Sequence, residues 1–201
     1  MPDRPIPQAY QLLWDHENQF AYAVAKQVLQ KPAISVWLIF IPILFLYYAH
    51  KIQQYKAGVH DFGKGLVRSK ILALDSALEE WQSGGKDKEY LQAFVSKDLE
   101  NSPNVMRVRD KQIAEVELLK THYSKLLRQQ GTTPGTLIKK TYKTSAGYRQ
   151  FLEQIYTAEN EVHDAVLRAY HPSEEAQQVT RKMQKIIRML REEEVRTIFG
   201  S

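Results

Sequence analysis

Hydrophobic residues recur with helical spacing along most of this chain, and one segment is apolar without interruption. Outside that segment, apolar side chains return every three or four positions, as they do on one face of an α-helix. Val67, Ile71, Leu74 and Leu78 are an example of such a stripe. No stretch shows the strict alternation that is typical of a β-strand. The pattern therefore predicts an all-α protein.

One amphipathic helix is expected before the apolar segment. Leu13 and Val28 lie on its apolar stripe, whereas we assign Glu17 to its polar side. Further apolar stripes follow at 67–81, 91–99, 105–126, 148–170 and 179–190. Gly131–Gly135 is the clearest loop, and Ser173 is a predicted N-cap for the last helix. The helices after the apolar segment are expected to form an antiparallel helical bundle or a coiled-coil hairpin.

The apolar segment runs from Ala33 to Ala49 between Lys31 and Lys51. Between these lysines, a helix at ~1.5 Å per residue extends roughly 28 Å, close to the ~30 Å hydrocarbon thickness of a bilayer. We therefore predict a transmembrane helix over 32–50. The side chains expected to anchor it are Trp37, Phe40, Pro42, Phe45, Tyr47 and Tyr48.

Two alternatives to a full span remain open for the same segment. A buried core helix of a soluble domain is one, although such a helix usually carries a polar stripe. A kinked hairpin that dips into one leaflet and hinges at Pro42 is the other, because proline interrupts the helical hydrogen bonds at the centre of the segment. More basic residues follow the segment than precede it, so a full span is expected to leave the bulk of the chain in the cytoplasm.

These expectations divide the chain into four parts. They are an N-terminal amphipathic helix over 1–31, the transmembrane helix over 32–50, a juxtamembrane extension over 51–65 and a cytoplasmic helical domain over 66–201. Gly58, Gly63 and Gly65 lie in the juxtamembrane extension, where they indicate either a hinge or a close contact between helices.

The net charge of +5 is unevenly distributed, since no acidic residue occurs between Leu118 and Leu152. A basic surface is expected from Lys125, Arg128, Lys139, Lys140, Lys143, Arg149, Arg181, Lys185 and Arg188. Such a surface next to a membrane anchor would suit anionic lipid head groups. A solvated face, or contact with an acidic partner subunit, would explain it equally well. Nucleic acid is not an expected partner, because no known nucleic-acid-binding motif accompanies the charge.

Few residues suggest chemistry. The chain contains no cysteine, which excludes disulfides, thiolate zinc sites and cysteine nucleophiles. Glu159 and His163 share a helix face and are the best pair from which a metal site could be built. The chain has no Glu-x-x-His unit of the kind that di-metal carboxylate bundles use. The sequence therefore predicts no cofactor, no metal and no small-molecule substrate.

The expected function is that of a non-catalytic accessory or scaffold subunit, anchored in a membrane by one helix. Its partners would be membrane lipid and either other subunits of a membrane complex or further copies of the chain. Two alternatives are a peripheral binder of anionic lipid or nucleic acid, which would use the basic surface, and a metal-dependent helical-bundle enzyme.

Overall fold

The computed structural model describes residues 6–29, 42–83, 103–171 and 173–200. They form α1 (Gln8–Val28), α2 (Pro42–Ser83), α3 (Pro103–Leu127), α4 (Pro134–Tyr142), α5 (Ser145–Tyr170) and α6 (Glu174–Phe199). The described residues contain no strand, so the prediction of an all-α protein is confirmed. The stripe at 91–99 lies outside the described residues. Of α2 before Gln54 and α3 before Met106, only the backbone is described.

The long helices pack in a ring, in the order α1, α2, α3, α5 and α6, with α6 returning to α1. Helix α1 runs antiparallel to α2, because Tyr10 of α1 bonds Asp75 while Ala21 of α1 lies against Gly63. It also runs antiparallel to α6. Glu17 of α1 contacts Arg191 of α6, and further along α1, Val28 contacts Lys182, which comes earlier in α6.

The ring is not antiparallel throughout, which corrects one part of the predicted bundle. Ser69 of α2 bonds Glu115 of α3, and further along both helices Glu80 pairs with Lys120. Helices α2 and α3 therefore run in the same direction. Helix α5 runs antiparallel to both its neighbours, α3 and α6. The direction in which two consecutive helices run relative to each other leaves no local pattern in the sequence, so the parallel arrangement of α2 and α3 was not predicted.

The hydrophobic core lies inside this ring. Its least exposed large side chains include Leu13 of α1, Leu74 of α2, Tyr123 and Leu126 of α3, and Tyr148 of α5. A second, smaller cluster joins the C-terminal half of α1 to α6 through Val24, Val28, Ile186 and Ile187. Because every long helix contributes to the interior, α1 is an integral part of the bundle.

Helix α4 was not predicted and closes one end of the ring. Pro134 and Gly135 had been assigned to a loop, yet they form the first turn of this helix. Thr133 caps it by accepting a hydrogen bond from the amide of Thr136, and proline suits the first turn because its missing N–H would have no partner there. The nine-residue helix is held by two fully covered side chains, Leu137 and Ile138. The predicted N-cap at Ser173 is confirmed by its bond to the amide of Ala176.

Helix α2 continues through residues 50 and 65 and through all three of its glycines. The predicted juxtamembrane extension and the first helix of the predicted cytoplasmic domain are therefore one helix. Gly63 makes the close helix contact, because a Cβ built there would lie 3.8 Å from the carbonyl oxygen of Ala21. No hinge is present at this point of the described chain.

The predicted transmembrane helix falls largely outside the described residues, which resume at Pro42. Its anchor residues Trp37 and Phe40 lie in that undescribed part, and Pro42, Phe45, Tyr47 and Tyr48 lie in the first two turns of α2. Within the ranges that the structure describes, no helix combines the length and the apolar character that a membrane crossing requires.

Candidate functional site

A cluster of charged side chains lies inside the bundle, where α1, α2 and α6 meet. Arg191 of α6 donates to both carboxylate oxygens of Glu17 of α1, at 2.9 and 3.2 Å. Its other terminal nitrogen donates to Glu194 at 2.9 Å. Lys70 of α2 lies 3.9 Å from Glu17. Since Glu17 is 4% and Arg191 7% exposed, these charges are almost fully removed from water.

His16 completes this cluster on the side that faces solvent. Its Nε2 lies 2.7 Å from a carboxylate oxygen of Glu194, and its Nδ1 lies 3.7 Å from Glu17. Burial alone would lower the pKa of His16, but hydrogen bonds and charge interactions with the two carboxylates outweigh it and raise that pKa to about 9. His16 is therefore protonated at neutral pH and is not available as a general base.

The two carboxylates are ionised for the same reason. Burial alone would raise the pKa of Glu17, but the Arg191 guanidinium opposes it most strongly, and the result is a pKa well below the usual range. The pKa of Glu194 is lowered to about 2 by Arg191 and His16, again against burial. Tyr148 of α5 adds a hydrogen bond to Glu194 at 3.1 Å. Four helices thus contribute to one network of hydrogen bonds and ion pairs.

Aromatic rings surround the buried charges. The ring of Phe20 faces the Arg191 guanidinium at 3.8 Å and the Lys70 ammonium at 5.2 Å, distances at which cations are attracted to an aromatic face. His122 and Phe151 line the same small cavity as the charged residues. His122 stacks on Phe151 with 4.1 Å between ring centroids and shares a 2.6 Å hydrogen bond with Tyr142. Burial lowers the pKa of His122 to about 3, so this ring is neutral.

An open groove of about 870 Å³ lies between α1, α4 and α6, directly above the cluster. His16 and Glu194 form part of its wall, with Phe20 and Leu190 beside them and Lys139 and Lys140 on the α4 side. The polar groups at its base are already paired with one another. The groove therefore offers a shaped surface for binding, and the pair between His16 and Glu194 in its wall also joins α1 to α6.

The predicted basic residues do not gather at one place. Lys139, Lys140 and Lys143 belong to α4 and its C-cap, and Lys125 and Arg128 line a depression at the C-terminal end of α3. Arg181 and Lys185 lie in the N-terminal half of α6, near the opposite end of the bundle.

Two of the predicted basic residues are engaged in ion pairs. Arg149 pairs with Glu192 at 3.2 Å, and Arg188 pairs with Glu153 at 2.9 Å. Both pairs join α5 to α6 on the outside of the bundle, so part of the predicted basic surface serves helix packing.

The candidate metal ligands Glu159 and His163 are half-buried on α5. The charge of Glu159 acts on Glu115 of α3, whose pKa is raised mainly by burial and further by this second carboxylate. In the described part of the chain, no three metal-binding side chains converge.

Sequence reasoning missed the cluster by placing Glu17 on the wrong side of α1. The structure buries Glu17, whereas the nearby Trp14 is 38% exposed. The spacing held a usable signal. Glu17 follows Leu13 by four positions and precedes Ala21 by four, so it stands within the stripe.

Comparison with models of known protein families gives no match, and no curated protein or solved structure shows significant similarity to this chain.

Proposed function

We propose that the protein is a membrane-associated, non-catalytic accessory or scaffold subunit, which presents a helical bundle at a membrane surface. The continuity of α2 carries this proposal. The helix begins at Pro42 within the apolar segment and continues into the core, where Ala73 and Leu74 are completely buried. A membrane that binds residues 42–49 would therefore be connected to the bundle by one continuous helix.

The association with membranes is supported by the composition of the apolar segment. Its ten strongly apolar residues would each favour insertion by about 0.3–0.6 kcal/mol, or roughly 3–6 kcal/mol together. Basic side chains lie at the end of α1 that precedes the segment and beside it on α2. Lys26 and Lys56 are exposed there, and Lys182 donates to the carbonyl of Val28, the last residue of α1. Such residues favour contact with anionic head groups.

Two charges in the apolar segment are expected to abolish membrane association. Each lysine near the centre of a bilayer opposes insertion by about 2.5–3.5 kcal/mol, so L44K combined with L46K would cancel the gain from the whole segment. Flotation with vesicles of phosphatidylcholine and phosphatidylglycerol would measure the effect. The native chain should float, and the double variant should stay at the bottom of the gradient.

The matched control is Q130K with Q150K, which adds the same charge at exposed positions near the α4 end of the bundle. This control should float like the native chain. If the native chain does not float, or if L44K/L46K floats as well as the control, membrane association through the apolar segment is wrong.

The role as a subunit is expected to be visible in the mass of the purified assembly. Membranes of the native host, solubilised in a gentle detergent, should release the chain together with a second protein, or with further copies of itself, in a fixed ratio. Multi-angle light scattering corrected for detergent would measure that ratio. A monomer in every detergent that preserves the helical circular dichroism spectrum would contradict the proposal.

A further inference from the structure

The described residues that flank the apolar segment on its two sides lie against each other in the bundle. Leu29, just after the end of α1, has a side-chain methyl 3.8 Å from where a Cβ on Gly58 of α2 would be. Val28 and Val59, next to these two residues, are 5% and 1% exposed. Because α1 and α2 are antiparallel, Leu29 and Gly58 lie at the same end of the bundle, one on each side of the apolar segment in the sequence.

This arrangement is incompatible with a helix that crosses a bilayer once. A single crossing would put the residues before and after the segment on opposite faces, at least the ~30 Å hydrocarbon thickness apart. To separate them, α1 would have to leave the bundle. That would break the buried pair between Glu17 and Arg191 and the bond from Lys182 to Val28, and it would expose the apolar face of α1.

The dimensions of α2 agree with entry from one face. From Gly58 to Pro42 the helix extends about 24 Å beyond its contact with Leu29. Its apolar part, Pro42–Ala49, accounts for about 12 Å of that length, close to the ~15 Å that one leaflet of hydrocarbon provides.

We infer that the residues on both sides of the apolar segment meet the same face of the membrane, so that α1 and the rest of the bundle lie on one side of it. The partner surface is thus the lipid of one leaflet. This inference rests on the membrane association proposed above and selects among its topologies. Exposed Arg181 and Lys185 of α6 lie at the same end of the bundle as Lys26 and Lys56, where the head groups would be.

Cross-linking in the membrane tests this topology directly, because a chain without cysteine gives no background. The pair L29C/G58C, treated with a short bis-maleimide while bound to vesicles, should cross-link as completely as in detergent. The pair Q8C/G58C is the matched control. Gln8 begins α1, roughly 30 Å from its other end, and should not cross-link to Gly58.

A second measurement covers the case in which Gly58→Cys disturbs packing. Single variants Q27C and A57C, both at exposed positions, would be added to preformed sealed vesicles and treated with a membrane-impermeant maleimide. Both should be labelled completely. If the vesicle-bound protein does not cross-link, or if one of the two single cysteines is protected, the inference that both flanks lie on one side of the membrane is wrong. The proposed membrane association is not affected by that result. If the native chain does not float at all, the proposed function and this inference both fail.

Discussion

Replacing Arg191 with methionine is expected to lower the free energy of unfolding by about 3–5 kcal/mol. Methionine fills a similar volume but leaves Glu17 in the interior with Lys70 at 3.9 Å and His16 at 3.7 Å as its nearest cations. It also removes the 2.9 Å bond to Glu194. A loss of this size is a large part of the 5–15 kcal/mol that stabilises a typical domain. Urea unfolding in mild detergent, followed by far-UV circular dichroism, would measure it.

Arg188→Met is the matched control, one turn earlier on the same helix. Arg188 also makes a two-point ion pair, with Glu153, but their side chains are 59% and 63% exposed. Surface pairs of this kind contribute about 0–1 kcal/mol. The double variant E17L/R191M should recover part of the loss, because it also removes the buried carboxylate that R191M leaves without its guanidinium partner. Equal effects of R191M and R188M would show that the buried cluster does not hold α1 in the bundle.

Stability is expected to fall as the pH rises from about 6.5 to 9. His16 has a pKa near 6.5 when unfolded and about 9 in the bundle, so the protonated form is favoured by folding. Its contribution is complete below pH 6.5 and is lost as the pH passes through 9. The difference of the two pKa values corresponds to about 3 kcal/mol at most, since His16 remains partly exposed. Unfolding in urea at a series of pH values would show the decline.

His16→Gln is the variant that isolates this effect. Glutamine can still donate to Glu194 but does not titrate, so the stability should change much less between pH 6.5 and 9. An undiminished decline in this variant would assign the effect to another group. On the acid side the sign is reversed. The lowered pKa of Glu194, about 2, and that of Glu17 stabilise the fold above their unfolded values, and that contribution is lost as the pH falls. His122, held neutral, acts in the same direction below pH 6.5.

The helices could be predicted from the sequence where capping residues or glycines lie next to their ends. Helix α6 begins after Ser173 because the serine caps it, and α2 ends at Ser83, just before Gly84 and Gly85. Helix α4 escaped prediction because nine residues with two buried side chains leave too short a pattern to recognise. Its proline and glycine, which usually indicate a loop, here form the first turn.

The buried cluster could be predicted only in part. Glu17 and Arg191 each stand in an apolar stripe, four positions from buried neighbours on either side, which is a sign of a buried charge. That these two residues meet depends on the packing of α1 against α6, which are separated by most of the chain. The same limit applies to the topology of the apolar segment. Its composition predicts contact with lipid, whereas the inference that both flanks lie on one side of the membrane depends on the antiparallel pairing of α1 and α2.

The length of α2 has a geometric consequence for the proposed arrangement. From Lys51 to Ser83 the helix extends about 50 Å without a proline, so it acts as a stiff spacer between the bilayer and the far end of the bundle. Helix α4 and the groove beside it would then be held at a constant height above the lipid. A partner bound there would be restricted to a narrow layer parallel to the membrane, and its effective concentration toward other proteins in that layer would rise.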